Sequence, residues 1–184
     1  MNAMARSFTG VFTAAQVAAL VREAAAAYSG SRQVLVEGYR VNGAQLLSPT
    51  RYRYARTGSE LDGHKNGVLT SLVREHFGAR LTTVTSSYNF YGVGDHIGIH
   101  RDAPDCRYAA LISLSGNLGP LDVYPHLAGC DGGELLKRIE NDAAGTPVRL
   151  PVPYGGVVVV QGSVLPHARP PATLPCAVAT VCFG

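Results

Sequence analysis

Three side chains in the second half of the sequence could together hold a metal ion: His100, Asp102 and His167. Two imidazoles and one carboxylate form the facial triad that binds mononuclear Fe(II) and leaves the other positions of the ion open. Open positions on one side allow dioxygen and a second reactant to bind next to each other. The sequence therefore predicts an iron site suited to oxygen chemistry. The alternative is a polar cluster at strand ends that holds no metal.

The expected strands explain how these side chains could meet. If residues 97–102 form a strand, His100 and Asp102 point to the same face, because alternate residues of a strand share a face. His167 follows the four-valine run Val157–Val160, which is typical of a buried strand. Both parts of the site are thus expected at the ends of separate strands that the fold brings side by side.

Length and composition indicate one ordinary globular domain, spanning residues 1–184. The net charge of +3 predicts no strong attraction to nucleic acid or to an anionic membrane. No segment is long and apolar enough to span a bilayer, and the first residues lack the apolar core of a signal peptide, so we expect a cytoplasmic protein. The cysteines form no C-x-x-C pair and are expected to be reduced thiols: Cys106, Cys130, Cys176 and Cys182.

The first 80 residues are expected to be mainly helical support and loop. Thr13 and Gln16 fit a capping box, which predicts a helix that continues to about Tyr28. A second helix is expected over residues 68–77. The polar stretch between them, residues 48–66, is predicted to be a loop.

From residue 81 onward, β-branched and aromatic residues dominate. We therefore expect an α+β fold in which residues 81–184 form a double-stranded β-helix, or jelly roll, with the N-terminal helices as support. Strands are expected at 34–41, 81–91, 97–102, 108–115, 121–127, 134–139, 148–151, 157–161 and 177–183.

Four motifs follow one another in this second half. They are N-F-Y-G-V-G-D at 89–95, I-H-R-D at 99–102, G-G-E-L at 132–135, and a stretch from P-Y-G-G at 153–156 to His167. In type, order and spacing they resemble the 2-oxoglutarate/Fe(II)-dependent dioxygenases, and within them the prolyl-hydroxylase-like group. The resemblance covers just over half of the chain.

The resemblance implies a jelly roll in which His100, Asp102 and His167 bind Fe(II), with 2-oxoglutarate and O2 as co-substrates. It implies an enzyme that hydroxylates, or otherwise oxidises, an unactivated C–H bond. Because few insertions separate the expected strands, we expect a compact substrate: a small molecule, an amino acid, or a residue on a peptide or carrier.

One position departs from the family's pattern. The family usually carries Arg or Lys nine or ten residues after the distal histidine, where it pairs with the far carboxylate of 2-oxoglutarate. This chain has Cys176 and Ala177 there. Four basic residues are candidates to replace the missing one, the first two ahead of the others: Arg107, Arg169, Lys137 and Arg138.

Two residues of the tyrosine motif are further candidates for binding the co-substrate. Tyr91 resembles the tyrosine that often adds a hydrogen bond to 2-oxoglutarate. Asn89 shares a strand face with Tyr91 and resembles the N-x-Y pair of the nucleic-acid demethylase branch. Since no arginine follows Arg169, whereas that branch has arginines well beyond the distal histidine, we do not expect nucleic acid as a partner.

Three other functions stay open at this point. The chain could be an Fe(II) oxygenase of the same fold that does not use 2-oxoglutarate, a nucleic-acid demethylase-like enzyme, or a non-catalytic jelly-roll binding protein. The sequence gives no oligomeric state.

Overall fold

The computed structural model describes residues 4–42, 45–78 and 81–184. Helix α1 spans Ala14–Tyr28 and begins with the predicted capping box: the Thr13 hydroxyl accepts a hydrogen bond from Gln16 N, and the Gln16 side chain accepts one from Thr13 N. Within the described ranges, no helix is both long and apolar enough to cross a membrane. The further helical segments are α2 (Ser59–His64), a π-helical turn (Lys65–Leu69), α3 (Thr70–Phe77), a 3-10 turn (Pro125–Leu127) and α4 (Gly132–Glu140).

Strands occupy most of the second half and also parts of the first. They are β1 (Ala5–Phe8), β2 (Arg32–Val36), β3 (Arg40–Asn42), β4 (Gln45–Leu47), β5 (Thr50–Arg56), β6 (Thr83–Tyr91), β7 (His96–His100), β8 (Tyr108–Ser113), β9 (Leu121–Val123), β10 (Val148–Leu150), β11 (Val157–Val160), β12 (His167–Arg169) and β13 (Cys176–Phe183).

Eleven of these strands form one antiparallel sheet that closes almost into a barrel. Its order is β1-β11-β8-β13-β6-β5-β7-β12-β9-β10, with β2 also paired to β5. Strands β3 and β4 form a separate two-stranded ribbon. The predicted double-stranded β-helix is thus confirmed, and β1, β2 and β5 add strands from the N-terminal part to it.

Apolar residues cover both faces of the sheet at β11, which explains its uninterrupted valine run. Val157 and Val159 pack with the helices in one core cluster, whereas Val158 and Val160 pack inside the curved sheet in another. Alternate residues of a strand face opposite sides, so a strand covered on both sides needs apolar residues at every position. All four valines are fully buried.

Two sequence-based element predictions were wrong, and the strands expected over residues 34–41, 97–102 and 121–127 end earlier than predicted, at Val36, His100 and Val123. Residues 48–66, expected as a loop, contain β5 and α2, because the aromatic and arginine side chains of β5 alternate as they do in a strand. Residues 134–139, expected as a strand, belong to α4. The Asp131 side chain accepts a hydrogen bond from Glu134 N and caps this helix, and the Glu134–Arg138 ion pair spans one turn.

A disulfide bond joins Cys106 and Cys182, 76 residues apart in the chain. The expectation of reduced thiols was therefore wrong for this pair, whereas Cys130 and Cys176 are free. Strand pairing explains the contact: Cys182 on β13 lies opposite Ala109 on β8, and Cys106 stands shortly before β8.

Candidate metal centre

Strand pairing brings the two predicted histidine ligands together. Strands β7 and β12 are antiparallel neighbours, and His167 pairs directly with His100. Residues opposite each other in such a pair project from the same face of the sheet. Their imidazole ring centroids are 4.3 Å apart.

Asp102 completes the cluster from just beyond the end of β7. Its Oδ1 lies 3.6 Å from Nε2 of His100 and 3.8 Å from Nε2 of His167. One ligand atom from each of the three residues lies within 4.8 Å of the others. A divalent ion about 2.1 Å from each ligand atom requires atoms about 3–4 Å apart, so the three side chains fit a single metal ion.

Hydrogen bonds to the other ring nitrogens orient both imidazoles for metal binding. Nδ1 of His100 lies 2.9 Å from Gly98 O, and Nδ1 of His167 lies 2.9 Å from Leu165 O. A carbonyl oxygen only accepts, so Nδ1 carries the proton in each ring. Nε2 of each neutral ring then keeps its lone pair for a metal, as metal-binding histidines require.

The charge states of Asp102 and His167 also suit metal binding. Burial raises the pKa of Asp102, but the nearby His167 and His100 outweigh that effect and hold the pKa of this carboxyl below its ordinary value. Burial, together with the neighbouring His100, lowers the pKa of His167 to about 4. Burial also lowers the pKa of His100, but its interaction with Asp102 raises it more. At neutral pH, Asp102 is an anion and His167 is neutral, which are their metal-binding forms.

Gly162 allows the Asp102 carboxylate to occupy its position. Asp102 N donates a hydrogen bond to Gly162 O at 2.9 Å, so the two backbones run close together. A Cβ atom on Gly162 would overlap the Asp102 carboxylate. The separation would be far below 3.0 Å, a distance from other heavy atoms that real Cβ atoms essentially never fall under. Any residue with a side chain at position 162 would displace the carboxylate.

A cavity of about 230 Å³ inside the curved sheet opens onto the triad. Its wall combines the three residues of the cluster with polar and apolar side chains from β5, β6, β7, β8, β9, β12 and β13. The lining residues are Tyr52, Thr85, Ser87, Asn89, Tyr91, Ile97, His100, Asp102, Ala109, Leu111, Leu121, His167, Arg169, Thr180 and Cys182.

Arg169 is the cation of this cavity, and it lies two residues beyond His167 with only 4% of its surface exposed. Its Nη2 donates to Leu118 O and lies 3.5 Å from Cys176 Sγ, and its guanidinium carbon is 4.8 Å from the centre of the Tyr91 ring. Nε is buried without a hydrogen-bond partner in the described part of the chain. Burying an arginine without an anion is costly, so this arrangement favours an anionic ligand.

The other residues predicted from the sequence lie in different places. Tyr91 and Asn89 both line the cavity, but the Asn89 side chain already bonds Ser87 and Thr180. Arg107 is exposed and outside this cavity. Lys137 and Arg138, expected on a strand, are exposed on α4.

Sequence reasoning missed several residues of the cavity wall, among them Tyr52, Ser87 and Thr180. Tyr52 stacks on Tyr91 with ring centroids 5.5 Å apart. The alternation of polar residues along β6 was a usable signal, because Ser87 and Asn89 share the face of Tyr91. No local signal placed β13 beside β6, the pairing that brings Thr180 opposite Ser87.

No protein-family model and no curated protein matches the sequence. Solved structures do match. A prolyl-4-hydroxylase from Pseudomonas putida superposes with a TM-score of 0.64 at 15% identity, over 98% of this chain and 91% of that one. A prolyl hydroxylase from Trichoplax adhaerens, in complex with a hypoxia-inducible-factor peptide, superposes with a TM-score of 0.69 at 14% identity. The match covers 98% of this chain and 83% of that one. HygX from Streptomyces hygroscopicus, with nickel, 2-oxoglutarate and hygromycin B bound, superposes with a TM-score of 0.68 at 16% identity. The match covers 100% of this chain and 83% of that one.

The chain has the fold of the 2-oxoglutarate/Fe(II) oxygenases. At these identities the similarity establishes the architecture, and the chemistry has to be argued from the residues of this chain.

Proposed function

We propose that this protein is a non-haem Fe(II), 2-oxoglutarate-dependent oxygenase that hydroxylates or otherwise oxidises an unactivated C–H bond. The observation that carries the proposal is one cavity that contains both the His100–Asp102–His167 cluster and the buried guanidinium of Arg169. A metal-binding triad next to a buried cation suits a ligand that chelates a metal at one end and carries a carboxylate at the other.

His100, Asp102 and His167 would hold the iron, which supplies the activation of dioxygen when bound. In the overall reaction 2-oxoglutarate loses CO2 and becomes succinate, which takes one oxygen atom of O2. The other atom enters the substrate C–H bond as a hydroxyl group, so the two electrons lost by each organic partner balance the reduction of O2. The protein's own part is to fix the ligands, exclude water from the buried cavity and orient both organic molecules.

Arg169 is the residue we assign to the far carboxylate of 2-oxoglutarate. It follows His167 by two residues on β12, which corresponds to about 6.7 Å along a strand, comparable to the length of a five-carbon dicarboxylate. Its guanidinium lies against Cys176, the position where related enzymes usually carry the basic residue. In this chain the positive charge therefore lies on the neighbouring segment, at Arg169. Tyr91, on whose ring the guanidinium stacks, adds a hydroxyl group to the same cavity wall.

The metal assignment is tested by anaerobic titration with Fe(II) and then 2-oxoglutarate. We expect one iron per chain and a weak visible charge-transfer band when the keto acid chelates it. His167→Ala should abolish iron binding in equilibrium dialysis, whereas His126→Ala, a change at an exposed histidine, should leave it intact. Full iron binding by His167→Ala would remove this residue from the ligand set.

The co-substrate assignment is tested by moving the cation. Arg169→Met should weaken 2-oxoglutarate binding about 10- to 100-fold, the usual effect of losing hydrogen bonds to a charged group, while iron binding stays. Cys176→Arg in an Arg169→Ala background should restore affinity, because the guanidinium would return to the same space. Arg74→Gln, at an exposed arginine of α3, serves as the control. Unchanged affinity in Arg169→Met would overturn the assignment of Arg169 to the far carboxylate, whereas no measurable binding of 2-oxoglutarate to the iron-loaded wild type would favour an oxygenase that does not use it.

The substrate belongs to the same proposal: a small molecule, an amino acid, or a residue on a peptide or carrier. Among proteins of this fold, HygX binds hygromycin B and the Trichoplax enzyme binds a peptide, so the architecture accepts either kind of partner. A cytoplasmic location and the absence of a nucleic-acid partner stay predictions.

A further inference from the structure

The disulfide bond between Cys106 and Cys182 lies at the edge of the candidate metal cluster. Cys106 Sγ is 3.9 Å from Asp102 Oδ2, whereas the other carboxylate oxygen, Oδ1, faces the two imidazoles. Cys182 lines the cavity inside the curved sheet, which we call the inner cavity, together with all three residues of the cluster. The bond therefore borders both a proposed metal ligand and the space in which the reactants would bind.

The same bond helps to fix the backbone that carries Asp102. This residue stands at the start of the connection between β7 and β8, where its N donates a hydrogen bond to Gly162 O. The next four residues, 103–106, form a turn that is closed by a hydrogen bond from Cys106 N to Ala103 O at 2.8 Å. The disulfide ties the end of this turn to β13. Opening the disulfide would remove the covalent tie and place the carboxylate less firmly against the two imidazoles.

The two sulfur atoms differ in how a reagent could reach them. Cys106 is only 5% exposed and does not line the inner cavity, whereas Cys182 does. Cys182 lies opposite Thr85 on β6 and Ala109 on β8. Both of these neighbours line the same cavity, and Thr85 is exposed to solvent. Because thiol–disulfide exchange depends on access to the attacked sulfur, we expect a small reductant to attack Cys182 from the cavity.

We propose that the Cys106–Cys182 bond is a redox switch of the proposed metal site, closed in the metal-binding form and opened by a dithiol. A thiolate of the dithiol attacks Cys182 Sγ, the bond to Cys106 breaks, and Cys106 leaves and takes up a proton. The second thiol of the reductant then releases Cys182 from the mixed disulfide. In sum, two electrons and two protons pass from the dithiol to the two cysteines, and the dithiol becomes a disulfide. Exchange with a disulfide oxidant closes the bond again.

The inference rests on the proposed function, because it concerns the regulation of the same metal site. Its affinity test compares oxidised and reduced wild-type protein, with the reductant removed anaerobically before the metal is added. We expect reduction to weaken Ni(II) binding about tenfold or more in equilibrium dialysis, as when a group that positions a ligand is changed. Reoxidation with oxidised glutathione should restore the affinity.

Two variants show whether the effect belongs to this pair of cysteines. The double variant Cys106→Ser with Cys182→Ser should bind Ni(II) like the reduced protein and should not respond to dithiol. Cys130→Ser, at a free cysteine, should respond as the wild type does. Equal or tighter Ni(II) binding by the reduced wild type would overturn the switch. Loss of the folded circular-dichroism signal on reduction would also overturn it, because the bond would then be a structural staple.

The access test needs no metal and follows the rate at which dithiothreitol opens the bond. Thr85→Leu should slow the reaction severalfold, since a larger side chain opposite Cys182 would cover its sulfur. Thr146→Leu, at an exposed threonine, is the matched control and should react like the wild type. Equal rates for the two variants would overturn the route through the inner cavity.

Failure of the switch and failure of the proposed function give different results. If the oxidised protein binds neither Fe(II) nor Ni(II), the proposed function fails. If it binds them and reduction leaves the affinity unchanged, only the switch fails.

Discussion

At the scale of single residues, Gly162 and Asp102 depend on each other. The carboxylate lies where a side chain at position 162 would be, and the two backbones share a hydrogen bond. Gly162, which is not itself a candidate ligand, therefore determines where the carboxylate of the proposed ligand Asp102 can stand.

We predict that Gly162→Ala reduces metal affinity at least tenfold, the size of effect seen when a group that positions a ligand is changed. The added methyl group would push Asp102 away from both imidazoles. Equilibrium dialysis with Ni(II) measures this, and circular dichroism checks that the fold is kept. Gly116→Ala is the matched control, since a Cβ there meets no atom within 4 Å. Equal affinities for the two variants would contradict the argument.

The sequence allowed the His100–Asp102–His167 cluster to be predicted, but not which basic residue lines its cavity. His100 and Asp102 could be placed together because strand residues two apart share a face. Arg107 and Arg169 could not be ranked, because both lie close in sequence to a predicted ligand. Arg169 lines the inner cavity because it lies two residues after His167 on β12 and shares its face. No strand was predicted over residues 167–169, so this spacing was not used.

At the scale of elements, Glu23 of α1 holds the start of α2. Its carboxylate accepts hydrogen bonds from the backbone N of Gly58, Glu60 and Leu61 at 2.8–3.2 Å, and from the Tyr88 hydroxyl at 2.5 Å. Burial raises the pKa of Glu23, but these hydrogen bonds outweigh burial and lower it below the ordinary value. One side chain thus joins α1, α2 and β6.

We predict that Glu23→Gln lowers the free energy of unfolding by about 1–3 kcal/mol at neutral pH. Because the folded-state pKa is depressed, the contribution of the carboxylate is complete above the ordinary glutamate pKa and is lost as the pH falls through the folded value. The difference between wild type and Glu23→Gln should therefore shrink in acid. Urea unfolding at several pH values tests this, with the exposed Glu140→Gln as control. A difference that does not vary with pH would count against the role of the charge.

The element that sequence reasoning misjudged, α4, shows the limit of motif transfer. Its G-G-E-L start resembled a strand of related enzymes, but Asp131 provides a helix cap and Leu135 supplies a buried position on the helix. Local capping chemistry decided the structure. By contrast, α1 was predictable because its capping box and the spacing of its apolar residues both indicate a helix that starts at the same place.

At the scale of the whole molecule, the disulfide between Cys106 and Cys182 ties the segment after the metal motif to the last strand. It closes a loop of 76 residues, which includes most of the curved sheet. Nothing in the sequence predicted this pairing, because the two cysteines become neighbours only after β8 and β13 have paired.

We predict that replacing both cysteines with serine lowers the free energy of unfolding by about 4 kcal/mol, the cost expected for releasing a loop of this length. Chemical denaturation without reductant measures the loss, and Cys130→Ser, at a free cysteine, is the control. Four reactive thiols in the native wild-type protein would show that the bond does not form in solution.

The same disulfide bears on the donor atoms available to the proposed metal site. Cys106 Sγ lies 3.9 Å from Asp102 Oδ2, so a reduced thiol there would stand beside the carboxylate of the candidate site. Thiolate ligands favour zinc, whereas imidazole and carboxylate ligands also suit iron, nickel and manganese. Keeping that sulfur in the disulfide bond would withhold a soft donor from the metal site that we propose.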